Sequence, residues 1–289
     1  MKSILITGAT GFIGQHLINE LSKKERDLNL ISRGGANNSI SVDLTCNSET
    51  NKIISSCNVG IVVHLASSVR AIRSSIDVDK EISMAINVIS ALKPPCRFIY
   101  LSTADEYASS PNLISENANL DPANLYAKAK FRTRKALEAE AQKIGIELIV
   151  LRPFLVYGLY QPAHMFIPQL LKSINDNEVF VYSSRRKVRD FIHVSDIVKA
   201  IRMLIDYKEN ISGTYNIGTG VETSLSKAIK MVENKTGKII NIERDARLGI
   251  DNPDIIVANS KKIETKIGWR PEVSLQKGLS ELIKGNCSF

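Results

Sequence analysis

The sequence has few cysteines, no long apolar run and no clustered basic stripe, and each of these absences excludes a class of protein. The cysteines lack the C-x-x-C spacing of zinc and redox sites and the density of a disulfide scaffold, so we expect reduced, structural thiols in a cytoplasmic protein. They are Cys46, Cys57, Cys96 and Cys287. The histidines are also scattered without metal-ligand spacing, and no metal site is predicted.

The most apolar stretch beyond the N-terminal strand, residues 144–160, is interrupted by Glu147, Arg152 and Pro153. A membrane-spanning helix needs about 20 consecutive apolar residues, so no membrane association is predicted. The formal charge of +8 is spread along the chain, without basic residues interleaved with aromatic ones. This distribution excludes a nucleic acid as the expected partner and favours a small anionic ligand.

The 289 residues fit either one large α/β domain or a domain with a smaller lobe. Short β-branched runs alternate with helical patterns through the first half, which predicts a parallel sheet covered by helices on both faces. We expect strands, each buried on both sides, at residues 3–7, 28–32, 41–43, 59–64, 97–102 and 147–152. The first helix should begin at Phe12 and end near Lys23-Lys24, and a longer helix should run from Pro122 to Ile144.

The segment Thr7-Gly8-Ala9-Thr10-Gly11-Phe12-Ile13-Gly14 follows the first strand directly and opens the first helix. Glycines allow the backbone to turn tightly and to approach a pyrophosphate, and a helix N-terminus offers free N–H groups. The alternative is a tight turn without a ligand. In this context the segment predicts a dinucleotide site in a Rossmann-type doubly wound fold. The residues expected to contact the cofactor are Gly8, Thr10, Gly11, Phe12, Ile13 and Gly14.

Ser32 and Arg33 end the second predicted strand, where an acid would bind the adenosine ribose and an arginine would accommodate a 2′-phosphate. Because no carboxylate fills this position, NADP(H) is favoured over NAD(H), which stays possible. The alternative is that Arg33 is a solvated loop residue.

Tyr126 and Lys130 are four residues apart on the longer predicted helix, so both side chains project from one face. Ser102-Thr103 ends the preceding strand, where parallel sheets present polar groups to ligands. A packing tyrosine and a surface lysine would be the ordinary alternative. Together with the glycine segment, these residues instead indicate hydride chemistry with a side chain that exchanges a proton.

The chain resembles the extended short-chain dehydrogenase/reductase family of nucleotide-sugar epimerases, dehydratases and reductases. The glycine segment, Ser102-Thr103 and the Tyr126/Lys130 pair carry the resemblance, and further matches follow in order over nearly the whole chain. These matches are His64-Leu65-Ala66, Asn87, Arg152-Pro153, Tyr157-Gly158, residues 189–194, residues 216–220 and residues 268–271.

The resemblance implies that Thr103, Tyr126 and Lys130 are catalytic, that Tyr126 and Lys130 also contact the cofactor, and that Asn87 either contacts it or satisfies backbone groups. Lys130 and the bound cofactor would favour the Tyr126 phenolate. Further cofactor contacts are expected at Asp43, Leu44, Leu65, Ala66, Ser67 and Pro153. Besides Thr103, the implied contacts to a nucleotide-diphosphate sugar are Asp105, Arg189 and Arg247, the last in a loop one residue longer than the family pattern.

The resemblance also implies an organisation. Residues 1–153 would form the dinucleotide-binding domain that carries the catalytic residues. Residues 154–289 would mainly bind the nucleotide sugar, with some segments returning to the sheet. A homodimer formed through a pair of helices is an expectation of the same kind.

The reaction is the least determined part. In the dehydratases an Asp-Glu pair follows the catalytic threonine, whereas here Ala104 takes the first acid position and Asp105 the second. Epimerases recycle NAD and need no 2′-phosphate recognition, which Ser32-Arg33 argues against. We therefore expect NADPH-dependent reduction of a nucleotide-linked 4-keto-6-deoxy sugar, with an NAD-dependent 4-epimerase as the alternative. A 4,6-dehydratase or a non-catalytic dinucleotide sensor is a further alternative.

Overall fold

The protein, described by a computed structural model over residues 3–36, 38–67, 74–183 and 186–285, is an α/β structure. Its strands are β1 (Ser3–Thr7), β2 (Leu28–Ser32), β3 (Ile40–Ser41), β4 (Val59–His64), β5 (Arg97–Leu101), β6 (Glu147–Pro153), β7 (Leu155–Tyr157), β8 (Phe180–Ser183), β9 (Val188–Arg189), β10 (Phe191–His193), β11 (Gly213–Ile217), β12 (Thr223–Ser224), β13 (Ile242–Asp245) and β14 (Ile255–Ile256). Its helices are α1 (Phe12–Leu21), α2 (Asn47–Ser56), α3 (Ser75–Ser90), α4 (Leu125–Ile144), α5 (Phe166–Asp176), α6 (Val194–Asp206), α7 (Leu225–Thr236), α8 (Lys261–Ile267) and α9 (Leu275–Gly285), with a 3₁₀ turn at Ala104–Glu106.

Seven parallel strands form the main sheet in the order β3-β2-β1-β4-β5-β6-β11. The strand order reverses between β1 and β4, as it does in a doubly wound Rossmann sheet, and this confirms the predicted fold class. In such sheets ligands bind beyond the carboxyl ends of the strands, near the point where the strand order reverses.

Successive residues of the central strands pack on opposite faces of the sheet, as the two-residue period of a strand requires. Ile4 and Ile6 join a buried cluster with side chains of α1 and α6. Leu5 lies in a second cluster with side chains of α2, α3 and α4. Helices therefore cover the central strands on both faces, which explains why these strands are apolar throughout.

The predicted boundaries differ from the structure most clearly at three places. The third strand is Ile40–Ser41 and both residues are exposed, because it forms an edge of the sheet rather than a buried strand. The long helix begins at Leu125 instead of Pro122, since the Asn124 side chain caps it by accepting a hydrogen bond from the Ala127 amide at 2.8 Å. Helix α1 already ends at Leu21, before the two lysines.

The second half of the chain adds small sheets and returns two elements to the main sheet. Strand β7 pairs with β10, β9 lies between β12 and β14, and β8 pairs with β13. Strand β11 extends the main sheet, and α6 packs beside α1. The division at residue 153 therefore remains a prediction about domains.

Among the described residues, no helix is both long enough and apolar enough to cross a membrane.

An arginine ties the main sheet to the connection between α6 and β11. Arg97 on β5 forms two 3.0 Å hydrogen bonds with the Glu147 carboxylate on β6 and donates to the carbonyl oxygens of Leu204, Tyr207 and Glu209. The side chains of Arg97 and Glu147 are both largely buried. Removing one partner of such a pair leaves an uncompensated charge.

We therefore expect Arg97→Met to lower the free energy of unfolding by about 3–5 kcal/mol, as measured by urea denaturation. The control is Lys23→Met, which removes the exposed i,i+3 pair with Glu20 and should change the unfolding free energy by less than about 1 kcal/mol. Equal midpoints for the two variants would contradict the role given to Arg97.

Candidate active site

A cleft of about 1460 Å³ lies along the carboxyl ends of the central strands and continues toward the small sheets. Its walls bring together nearly all of the predicted site residues. Those that line it are Gly8, Thr10, Gly11, Phe12, Ile13, Gly14, Ser32, Arg33, Asp43, Leu44, Leu65, Ala66, Ser67, Thr103, Asp105, Tyr126, Lys130, Pro153, Arg189 and Arg247. Asn87 is outside this lining.

The glycine segment has the close backbone packing that the sequence predicts. Gly8 has a φ of +71°, and a Cβ there would lie 2.6 Å from the amide nitrogen of Ala66 after β4. A Cβ on Gly14 would lie 2.3 Å from the Gly8 carbonyl oxygen. Gly11 caps α1 without a side chain, so the first amides of the helix face the cleft uncapped and suit an anion. These residues fit a dinucleotide pyrophosphate.

A buried hydroxyl also supports a ligand at this end of the cleft. Within the described part of the chain, the Ser67 Oγ is buried and has no hydrogen-bond partner. Buried polar groups are nearly always satisfied, and Ser67 lines the cleft directly after the Leu65-Ala66 turn. A bound cofactor would supply the missing partner.

The adenosine end of the cleft contains a cation, with one acid nearby on the next loop. The Ser32 hydroxyl is occupied by its own loop, since it accepts from the Gly35 amide at 3.0 Å and bonds the Ser39 hydroxyl at 2.6 Å. Arg33 is exposed. The Asp43 carboxylate accepts hydrogen bonds from the side chain and amide of Thr45, which lower its pKa, and Arg33 lowers it further.

Asn87 supports this end of the cleft from behind instead of lining it. Its amide donates to the carbonyl oxygens of Leu44 and Thr45 at 2.9 and 3.1 Å, and its own oxygen accepts from Asn47 at 3.0 Å. Of the two roles expected for Asn87, these contacts match the second, because the side chain satisfies backbone groups and holds the Asp43-Leu44 loop in place; the direct cofactor contact stays a prediction.

Thr103 and Tyr126 meet at the carboxyl end of β5. Both side chains line the cleft, where Thr103 lies near enough to Tyr126 to affect its pKa, and Thr103 Oγ1 accepts a hydrogen bond from the Asp105 amide at 3.2 Å. The Tyr126 pKa is raised, mainly because the hydroxyl is buried and also because the carboxylates of Asp105 and Glu81 lie near. In the protein alone these carboxylates oppose the phenolate, so Tyr126 stays a phenol that can donate a proton.

Lys130 is buried one helical turn further along α4. Its ammonium donates to the Leu101 carbonyl oxygen at 3.2 Å, lies 3.3 Å from a carboxylate oxygen of Glu81 and sits 5.2 Å above the Tyr100 ring. Glu81 belongs to α3 and is 2% exposed. Sequence patterns did not reveal this carboxylate, because Glu81 lies in an ordinary helical pattern far from any motif.

The acids after Thr103 point to different places. Asp105 lines the cleft, where burial raises its pKa and the charge of Arg189 opposes that rise. Glu106 is fully buried and faces the interior, where it accepts from Arg134 at 2.8 Å and from Arg152 at 2.9 Å. The Ser102 hydroxyl donates to the same carboxylate. An arginine within the buried strand β6 was a signal that a buried acid had to be nearby.

The predicted substrate arginines differ in their surroundings. Arg189 on β9 lines the cleft and donates to the carbonyl oxygens of Val188, Pro253 and Asp254, and burial lowers its pKa. Arg247 reaches the rim, but its side chain is 90% exposed and turned to Asp245 at 2.8 Å. The structure thus places Arg189 in the cleft and shows Arg247 paired with Asp245 of its own loop.

Residues 4–218 match the model of the NAD dependent epimerase/dehydratase family. The chain belongs to this family. The dTDP-4-dehydro-6-deoxyglucose reductase of Escherichia coli is 29% identical, with 98% of this chain and 97% of the relative covered. The UDP-glucose 4-epimerase of Lactobacillus helveticus is 25% identical, with 93% and 92% covered.

A solved structure shares the whole fold. The UDP-glucuronic acid 4-epimerase of Bacillus cereus, in complex with UDP-glucuronic acid and NAD, superposes with a TM-score of 0.87 at 25% identity and covers 99% of this chain and 100% of its own. The resemblance to extended short-chain dehydrogenases/reductases that the motifs predict is confirmed.

Among the described residues, no group of three or more His, Cys, Asp or Glu side chains could hold a metal ion.

Gly14→Ala should weaken NADPH or NADH binding by about tenfold or more, because the added Cβ collides with backbone atoms of the turn rather than with a movable side chain. Quenching of intrinsic fluorescence during titration with the coenzyme measures the change. Gly285→Ala, where a Cβ meets nothing within 4 Å, is the matched control. Unchanged affinity in a folded Gly14→Ala variant would show that the coenzyme does not use this turn.

Proposed function

We propose that the protein reduces the 4-keto group of a nucleotide-diphosphate-linked 6-deoxy sugar with NADPH. The observation that carries this proposal is the convergence of Thr103, Tyr126 and Lys130 in one cleft with the glycine turn. Reduction of a ketone requires a hydride at carbon and a proton at oxygen, and a phenol beside the carbonyl can supply the proton.

The residues divide this work between them. The nicotinamide coenzyme, when bound, supplies the hydride. The Thr103 hydroxyl holds the carbonyl oxygen by a hydrogen bond, and the Tyr126 hydroxyl donates its proton to that oxygen as it becomes a hydroxyl group. Lys130, one turn along the helix, stabilises the phenolate that forms until it recovers a proton from water.

Dehydration needs a pair of acids at the reacting carbons, and the site supports only one. Ala104 presents a methyl group at the first acid position and is buried. Glu106 is buried in ion pairs with Arg134 and Arg152 and does not line the cleft. Asp105 is therefore the acid after Thr103 that does. A solitary carboxyl opposite Arg189 fits a substrate contact better than an elimination.

NADPH is favoured as the coenzyme because the end of β2 offers Arg33 and no carboxylate to a 2′-phosphate. The substrate class is supported by Arg189, since a guanidinium that lines the cleft suits a diphosphate. It is further supported by the name of the Escherichia coli relative, which reduces a dTDP-linked 4-keto-6-deoxy sugar.

A second candidate is an NAD-dependent nucleotide-sugar 4-epimerase. The names of the Lactobacillus helveticus relative and of the Bacillus cereus structure favour it, and the latter structure contains NAD. The same three side chains would serve, but Tyr126 would have to act first as a base, which the surrounding carboxylates oppose.

The test combines purified protein with NADPH or NADH and nucleotide-linked 4-keto-6-deoxy sugars, and follows nicotinamide absorbance and the sugar product. We expect loss of NADPH equal to the ketone reduced. Tyr126→Phe should lower kcat by a factor of about 10²–10⁴, since the proton donor is lost. Tyr207→Phe, whose hydroxyl bonds only the nearby Glu209 at 3.4 Å among the described residues, should match the wild type. Sugar interconversion without net coenzyme loss would instead establish the epimerase.

Arg33→Ser should raise the KM for NADPH about tenfold or more while leaving the KM for NADH within about twofold, because only NADPH carries the 2′-phosphate. Arg132→Ser removes an exposed arginine that pairs with Asp79 on the outer surface of α3 and α4, and it should leave both constants unchanged. Equal effects on the two coenzymes would mean that Arg33 is a solvated loop residue.

A further inference from the structure

The ion pair between Glu81 and Lys130 lies behind the reacting groups and belongs to no sequence motif. Both side chains are at least 95% buried, and the carboxylate oxygen is 3.3 Å from the ammonium nitrogen. Moving a carboxylate from water to such a place costs several kcal/mol unless a cation compensates it. A buried acid paired with the one lysine of the catalytic constellation therefore calls for a functional explanation.

The geometry fixes the ammonium in place. An ammonium group has three hydrogens. One of them is donated to the Leu101 carbonyl oxygen at 3.2 Å, the Glu81 carboxylate forms an ion pair with the same ammonium at 3.3 Å, and Lys130 also lines the cleft. Since Leu101 ends β5 directly before Ser102-Thr103, Glu81 holds Lys130 at the end of the strand that leads into Thr103.

We infer that Glu81 is a positioning residue, whose carboxylate holds the Lys130 ammonium at the end of β5 and balances its charge before coenzyme and substrate bind. This inference rests on the proposed function of Tyr126 and Lys130. Its consequence concerns Tyr126: an unbalanced ammonium one turn away would pull the hydroxyl toward phenolate, whereas the balanced pair leaves it protonated. The enzyme is thereby set to deliver a proton, as the reduction of a ketone requires.

The other titratable groups around the pair add no positive charge that would favour the Tyr126 phenolate. Burial lowers the pKa of His64 to about 3, so this histidine on β4 is neutral. Burial raises the pKa of the Tyr100 phenol on β5, which also stays neutral. The groups that face Tyr126 and Lys130 from the neighbouring elements are Glu81 on α3, His64 on β4, Tyr100 on β5, and Asp105 and Glu106 on the 3₁₀ turn.

The experiment is an alkaline titration of tyrosinate absorbance in the intact protein, without coenzyme or substrate. Subtracting the same titration of a variant that also carries Tyr126→Phe isolates Tyr126. In Glu81→Gln we expect Tyr126 to ionise at least about one pH unit below the wild type, because Lys130 is then uncompensated. Circular dichroism at each pH defines the range over which the protein is folded.

Asp79→Asn is the matched control, since Asp79 joins the same two helices through an exposed ion pair with Arg132. It should leave the Tyr126 titration unchanged. Glu81→Asp withdraws the carboxylate from Lys130 by one methylene group and should give a smaller shift in the same direction, so the inference stays testable if Glu81→Gln does not fold. The inference is overturned if Tyr126 ionises no lower than in the wild type in both variants. If only Glu81→Asp folds, the same result in that variant overturns it.

The titration needs no turnover, so the role of Glu81 is tested independently of the proposed reductase activity. Failure of NADPH to disappear with the sugar substrates, in a protein whose Tyr126 titrates as expected, would remove the reductase and leave the role of Glu81. Where turnover is found, Glu81→Gln should also move the alkaline limb of kcat/KM for ketone reduction to lower pH, because the proton donor is lost earlier. A merely structural role for Glu81 would change kcat without moving that limb.

Discussion

The carboxylate of Glu106 joins the two elements that carry the reacting groups, the turn after β5 and helix α4, to strand β6. It lies in the turn after β5, accepts from Arg134 on α4 and from Arg152 on β6, and receives the hydroxyl of Ser102 at the end of β5. Helix α4 carries Tyr126 and Lys130, and the turn begins at Thr103. Because a buried charge is tolerated only with its partners in place, the relative position of these elements is set by this one anion.

Around this frame, the charges of the cleft support the direction of proton transfer that we propose. Asp105 and Glu81 lie near Tyr126, and Glu81 also compensates the nearest cation, Lys130. A phenol in such surroundings gives up its proton only when negative charge is created on the substrate oxygen beside it. The arrangement thus matches the moment at which a ketone accepts a hydride, when the developing alkoxide needs a proton.

The sequence predicts features whose residues are close together along the chain better than contacts between residues that are far apart in it. The β1 strand, the glycine turn and α1 are contiguous, and local periodicity was enough to predict them. Strand β3 was misplaced because edge exposure depends on which strands pair, which no local pattern records. Two roles stayed open for Asn87 because the sequence predicts its helix but not its rotamer, and the structure shows the amide bonded to loop carbonyl oxygens. Glu81 was missed since its partner, Lys130, is 49 residues away.

The same limit explains why the reaction is harder to predict than the family. Family membership rests on ordered motifs over residues 4–218, which reductases and epimerases share. The proposed choice of reaction rests instead on single side chains: Arg33 at the coenzyme, Ala104 in the turn after Thr103, and Glu81 behind Lys130. Each changes a charge or removes an acid without altering the fold. In this cleft the chemistry is therefore determined by electrostatics placed on a common scaffold, and only the contacts between distant residues reveal it.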